Sequence, residues 1–183
     1  MTVVSGMPRS GTSLMMRMLD DGGVSAVTDG RRTADEHNPH GYFEDERAKR
    51  LAQESAWLGE ARGRAVKIVY RLLPHLPPQL DYRIVFMERD LDEVYDSQQD
   101  MLQSRGDAAA AQDRDRMIRA LSRDLEGAKH WLSTQCHIVV PYRDLVRQPA
   151  FWAANVSRFL GGDLDEDLMA AAVEPSLYRH RRS

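Results

Sequence analysis

Six of the eight residues from Gly6 to Ser13 are of types that bind anions: Gly6, Arg9, Ser10, Gly11, Thr12 and Ser13. The glycines permit backbone angles that a side chain forbids. The backbone N–H groups of residues 10 to 13 and three hydroxyls are donors, and Arg9 is a permanent cation. Val3 and Val4 just upstream read as the end of a buried strand, while Leu14, Met15, Met18 and Leu19 recur at helical spacing. The turn therefore ends at a helix N-terminus, where unpaired N–H groups and the dipole attract negative charge. Such residues suit the holding of a phosphorylated ligand. The plainer alternative is a glycine-containing turn with no ligand.

The spacing Gly6-x4-Gly11-Thr12-Ser13 is that of a Walker A loop, with Thr12 where a nucleoside triphosphatase carries its phosphate-binding lysine. A γ-phosphoryl transfer enzyme relies on that lysine, together with Mg²⁺, to neutralise charge spread over three phosphates. Here the cation is Arg9, inside the loop. A second segment, Arg83 to Arg89, is an apolar run closed by charge, as expected of a parallel strand buried on both faces. Asp90 to Leu102 then reads as a helix with acids in its first turn, where the dipole favours them. Arg89 closes the strand and Ser97 follows eight residues later; the guanidinium offers a planar fork of donors and the hydroxyl one more, although an arginine at a strand end, taken alone, is more often a surface residue or an ion-pair partner.

In this order and spacing, the Pro8–Ser13 loop and the Arg89/Ser97 pair resemble the 5′-phosphosulfate loop and the 3′-phosphate pair of sulfotransferases. That family uses 3′-phosphoadenosine 5′-phosphosulfate (PAPS) as sulfuryl donor. The resemblance implies a P-loop-type three-layer α/β domain, a central parallel sheet with helices on both faces. It assigns donor binding to Arg9, Ser10, Gly11, Thr12, Ser13, Arg89 and Ser97. Two further segments extend it. Ala65 to Pro77 is similar to the stretch where cytosolic members carry Lys-x-His and a Leu-Pro-rich loop; Lys67 matches the lysine, and Val69 stands in the histidine's place. His137 to Pro149 is similar to the family's later strand and its Tyr-x-Asp-Leu continuation, so Tyr142 either approaches the nucleotide or packs at a strand end. Lys67 lies within an apolar strand, where an ammonium needs relief from an anionic ligand, an ion pair or snorkelling past the strand end.

The chain also departs from the pattern. The aromatic residue that stacks on adenine in cytosolic members is Leu14, and a late Gly-x-x-Gly-x-x-Lys motif is missing. The spelling of the loop resembles the protein-tyrosine and bacterial branches, in which a carboxylate replaces histidine as base. The resemblance therefore implies three catalytic residues: Arg9 to stabilise charge on the leaving phosphate, Lys67, and a carboxylate in the stretch Ala34 to Glu44. Glu44 follows an aromatic pair able to desolvate it, whereas Asp35 and Glu36 sit in a solvated run. Glu44 reads equally as the N-terminal acid of a helix beginning near Asp45, and His37 and His40 are reserve bases. No metal is implied, and the six histidines are scattered.

These groups need a scaffold. Strands at about 2–5, 65–70, 83–89 and 137–141 alternate with helical patterns, the signature of a parallel sheet covered on both faces. Residues 113–133 carry an apolar stripe including Met117, Leu121, Leu125 and Leu132, and two shorter helices fall at 150–160 and 164–173. The irregular stretch from Val27 to Tyr42 is of a length usually functional. At 183 residues with no linker, one domain is expected. A net charge of −3 gives no footprint for nucleic acid or an anionic membrane. A lone cysteine, Cys136, beside a strand is expected to be a buried thiol in a reducing compartment. Without an apolar run of about 20 residues or room for a signal peptide, a cytoplasmic location is expected. The expected partner is a small-molecule or peptide acceptor, with a homodimer possible and the basic tail 179–183 either a contact or a frayed end. A small-metabolite kinase and a non-catalytic module binding a bisphosphorylated nucleotide are the other two functions compatible with the loop.

Overall fold

The computed structural model describes residues 1–32, 34, 35, 38–104 and 113–178. Glu36, His37 and the tail 179–183 lie outside them. Among the described residues β1 (Thr2–Gly6), β2 (Ala65–Val69), β3 (Arg83–Glu88) and β4 (His137–Pro141) form an all-parallel sheet in the order β2-β1-β3-β4. Alternation along the strands sends side chains to opposite faces. Val4, Val85 and Met87 pack against α1 (Thr12–Asp21), α4 (Tyr142–Arg147), α5 (Pro149–Leu160) and α6 (Glu166–Ala171). Val3, Ile84 and Phe86 pack on the other face against α2 (Leu91–Ser104), α3 (Arg114–Leu132) and short 3₁₀ turns. This is the three-layer α/β arrangement expected. The α1 side chains Met15, Met16, Met18 and Leu19 are fully buried, each contributing roughly 1.5–3 kcal/mol relative to exposure.

Register decides what meets what. Gly6 sits opposite both Val69 and Met87, and Glu88 opposite Pro141. The loop after β1, Arg89 after β3 and Tyr142 after β4 therefore leave the sheet at one edge. It is the carboxyl edge, where open α/β sheets bind ligands.

The stretch after β4 turns directly into α4, and Pro149 starts α5 at a position where its missing N–H costs nothing. Two local expectations are revised. The helix expected near Asp45 is a 3₁₀ segment, Glu46–Arg50, whose first turn is capped by the Asp45 carboxylate accepting from Arg47 N–H. Cys136 is exposed rather than buried: a place just before β4 does not carry it into the core. Among the described residues no helix is long and apolar enough to cross a membrane.

Candidate functional site

The loop between β1 and α1 is held in an unusual backbone path. Arg9 adopts φ 73°, left-handed for a residue with a side chain, and Gly11 adopts φ 96°. Such conformations persist where surrounding structure imposes them, often at ligand clamps. Ser10 N–H closes the turn onto the Met7 carbonyl at 3.1 Å. A Cβ at Gly6 would lie 2.5 Å from Ser10 Oγ and 2.6 Å from the Met87 carbonyl, so only glycine fits between loop and β3. Gly11 caps α1 with no side-chain acceptor, leaving the N–H groups of the helix's first turn for another partner. Ser10 Oγ is buried without a hydrogen-bond partner.

Arg9 and Ser97, from the two motifs, are in direct contact: Arg9 Nε donates to Ser97 Oγ at 2.9 Å. Burial lowers the Arg9 guanidinium below its ordinary range, opposed by Tyr42 and reinforced by the nearby charge of Arg89. Arg89 lies beneath this pair. Its Nη1 donates to the Arg9 carbonyl at 3.0 Å and its Nε to Glu93 at 2.9 Å. The ion pair is buried, the side chains 8% and 2% exposed. Tyr178 donates to Glu93 at 2.7 Å, and the guanidinium sits 4.7 Å and 5.1 Å from the ring centres of Tyr142 and Tyr178. Glu93 and Tyr178 carried no signal in the sequence. Arg89 is thus as much a structural cation as a candidate ligand.

Lys67 reaches the opposite side of the loop. Its Nζ lies 3.0 Å from Ser13 Oγ, 2.9 Å from the Tyr42 carbonyl and 3.4 Å from Glu44 Oε1. Of the three ways to relieve a buried ammonium, this one is an ion pair. Burial still dominates and lowers Lys67 to about 8, against the pull of Glu44 in the other direction. Arg32 donates to both Glu44 oxygens, at 2.9 and 3.2 Å, and its guanidinium stacks 3.3 Å from the Tyr42 ring centre. Two cations, Arg32 and Lys67, therefore hold the Glu44 carboxylate, partners that carried no signal in the sequence. Asp35 is likewise engaged, accepting from the Tyr42 hydroxyl at 2.7 Å. Tyr42, Arg32 and Lys67 clasp the Val27–Tyr42 stretch to the start of α1.

A cavity of about 430 Å³ opens over these groups, bordered by Arg9, Thr12, Lys67, Arg89, Ser97 and Tyr142. His40 and Glu174, the latter in the segment after α6, border it as well. His40 Nε2 lies 2.7 Å from Glu174 Oε1, which also accepts from Arg17 Nη1 at 2.8 Å. Arg17 and Glu174 are 157 residues apart in sequence, so no local pattern could have joined them. Among the described residues no group of three or more His, Cys, Asp or Glu side chains is arranged to hold a metal ion.

No family model matches the chain, and no curated protein sequence matches it significantly. Solved structures do. The sulfotransferase domain of the Synechococcus PCC 7002 olefin synthase superimposes with a TM-score of 0.62 at 17% identity, covering 100% of this chain and 88% of that one. The sulfotransferase domain from the curacin biosynthetic pathway gives 0.58 at 14% identity, covering 97% and 88%. With its parallel sheet and covering helices, the chain has the fold of these sulfotransferase domains.

Proposed function

We propose that the chain transfers a sulfuryl group from PAPS to a hydroxyl or amine acceptor, releasing adenosine 3′,5′-bisphosphate. The observation that carries this reading is the meeting of the two phosphate motifs: the Arg9 guanidinium on Ser97 and the Arg89 guanidinium on the Arg9 carbonyl, beside an uncapped helix start. The donor supplies an activated sulfur whose leaving group is a phosphate. The N–H groups of Gly11, Thr12 and Ser13, with Arg9, hold the 5′-phosphate and stabilise its growing charge. Ser10 Oγ, orphaned inside the loop, is one more donor facing the same need. Arg89 and Ser97 hold the 3′-phosphate, and Tyr142 keeps Arg89 in place. Lys67, whose Nζ lies 3.0 Å from Ser13 Oγ at the start of the anion-binding helix, is the cation we assign to the charge passing between sulfur and phosphate. Glu44 and His40 are the cavity groups able to take the acceptor proton.

The test is a thermal-shift and calorimetric comparison of adenosine 3′,5′-bisphosphate, 5′-AMP, ADP, and ATP with Mg²⁺. A ligand that binds only the native state raises the midpoint. The bisphosphate should bind without metal and more tightly than 5′-AMP. Preference for Mg²⁺-ATP would replace the reading with a kinase, and bisphosphate binding with no transfer from PAPS to any acceptor would replace it with a binding module.

A further inference from the structure

We infer that His40, held by Glu174, is the base that takes the acceptor proton, with Glu174 as its positioning residue; this rests on the sulfuryl-transfer reading. The two rival groups differ in what already occupies them. Both oxygens of Glu44 accept from Arg32 and one also faces Lys67, so a proton placed there would displace two cationic partners. Among the described residues His40 has one polar partner, Glu174, whose Oε1 lies 2.7 Å from Nε2, and none at Nδ1. A carboxylate beside Nε2 favours the neutral tautomer with its hydrogen on Nε2 and a lone pair on Nδ1. Glu174 is itself pinned by Arg17, one helical turn beyond Ser13 on α1, which sets the imidazole beside the anion cradle. His40 borders the same cavity as Arg9 and Lys67.

In the step this arrangement serves, the acceptor oxygen forms a bond to sulfur while the bond from sulfur to the bridging phosphate oxygen breaks. The electron pair of the broken bond stays on the 5′-phosphate near Arg9. The acceptor proton passes to His40 Nδ1, and the imidazolium so formed is stabilised by Glu174 and returns its proton to solvent.

The experiment uses the full chain with PAPS as donor, phenol and 4-nitrophenol as acceptors, and water as the fallback acceptor, read as PAPS hydrolysis. Calorimetry with adenosine 3′,5′-bisphosphate is run on every variant. His40→Ala should lower kcat for phenol by about 10² to 10⁴, the usual span for a general base, at unchanged bisphosphate affinity. The loss should shrink for the more acidic 4-nitrophenol, and added imidazole should restore part of the rate, which a packing role would not permit. Glu174→Gln should lower kcat less, leave KM and bisphosphate affinity in place and gain nothing from imidazole. Wild-type turnover in His40→Ala, absence of imidazole rescue, or the same pattern appearing in Glu44→Gln instead would overturn the assignment. So would bisphosphate binding by the wild type with neither transfer nor hydrolysis. Failure of the wild type to bind the bisphosphate at all would instead defeat the donor reading on which it rests.

Discussion

The ring of Tyr142 lies so close to the backbone of Gly11 that a Cβ there would fall on its Cδ2 and 2.7 Å from its Cε2. The contact ties the strand-end tyrosine to the cap of the anion-binding helix, and it makes Gly11 doubly constrained, by its positive φ and by the ring. Gly11→Ala should therefore destabilise the fold by roughly 1–3 kcal/mol from overpacking, with a left-handed backbone adding roughly 1–2 kcal/mol. Denaturant titration of Gly11→Ala, Tyr142→Ala and the double variant separates the two. In the Tyr142→Ala background the cost should fall to the backbone part. Equal cost in both backgrounds would mean the ring yields freely.

Arg89 and Glu93 form a buried pair, so the obvious test of the 3′-phosphate assignment is confounded. Removing one member of such a pair costs about 3–5 kcal/mol by stranding the other charge. Arg89→Ala should lower the unfolding midpoint sharply, and Arg89→Met with Glu93→Leu should recover much of it. Ser97→Ala is the cleaner probe of binding. It should reduce the preference for adenosine 3′,5′-bisphosphate over 5′-AMP by about fivefold, one ordinary hydrogen bond of roughly 1 kcal/mol. Unchanged preference in the calorimeter would take Ser97 out of the site.

Arg9 should act mainly on rate. Its guanidinium is fixed by Ser97 and strained backbone before any ligand arrives, so its charge is preorganised for the leaving phosphate. Arg9→Ala should lower kcat by more than it weakens bisphosphate binding. A loss confined to affinity would make it a ground-state anchor.

The strands were legible because runs such as Arg83–Glu88 are apolar throughout, and α1 because four apolar residues keep a 3.6-residue period. The loop was legible because its glycines and hydroxyls fall together at one strand-to-helix junction, and the Arg89/Ser97 pair because its eight-residue spacing carries a family resemblance. Helix α4 was not: its six residues, Tyr142–Arg147, are too few to show a period. Neither was the group of Arg17, His40 and Glu174 at the cavity, since they come from three separate segments that meet only in the packed fold. Glu44 fell between the two cases. Its position near the site was readable, but the cations that hold it, Arg32 and Lys67, depend on how the stretch folds back over Tyr42.

Lys67 gives the site a pH signature. Burial lowers it from 10.5 to about 8 in the folded chain. Below pH 8 both folded and unfolded chains hold the proton, and the buried ammonium is a full cost of about 3 kcal/mol by the conversion of that difference. Between about 8 and 10.5 the unfolded chain binds the proton and the folded chain releases it, so this contribution makes stability rise with pH. Lys67→Met should thus be more stable than the wild type at pH 7, with the gap closing towards pH 10 in denaturant titrations. An anion bound beside Ser13 and Lys67 favours the ammonium. Binding adenosine 3′,5′-bisphosphate at pH 8.5 should therefore take up a fraction of a proton, and affinity should fall as pH rises beyond 8. Calorimetry in two buffers of different ionisation heat measures the uptake directly. Uptake that persists in Lys67→Met would assign the proton to another group, and the absence of uptake in the wild type would place the bound phosphates out of reach of Lys67.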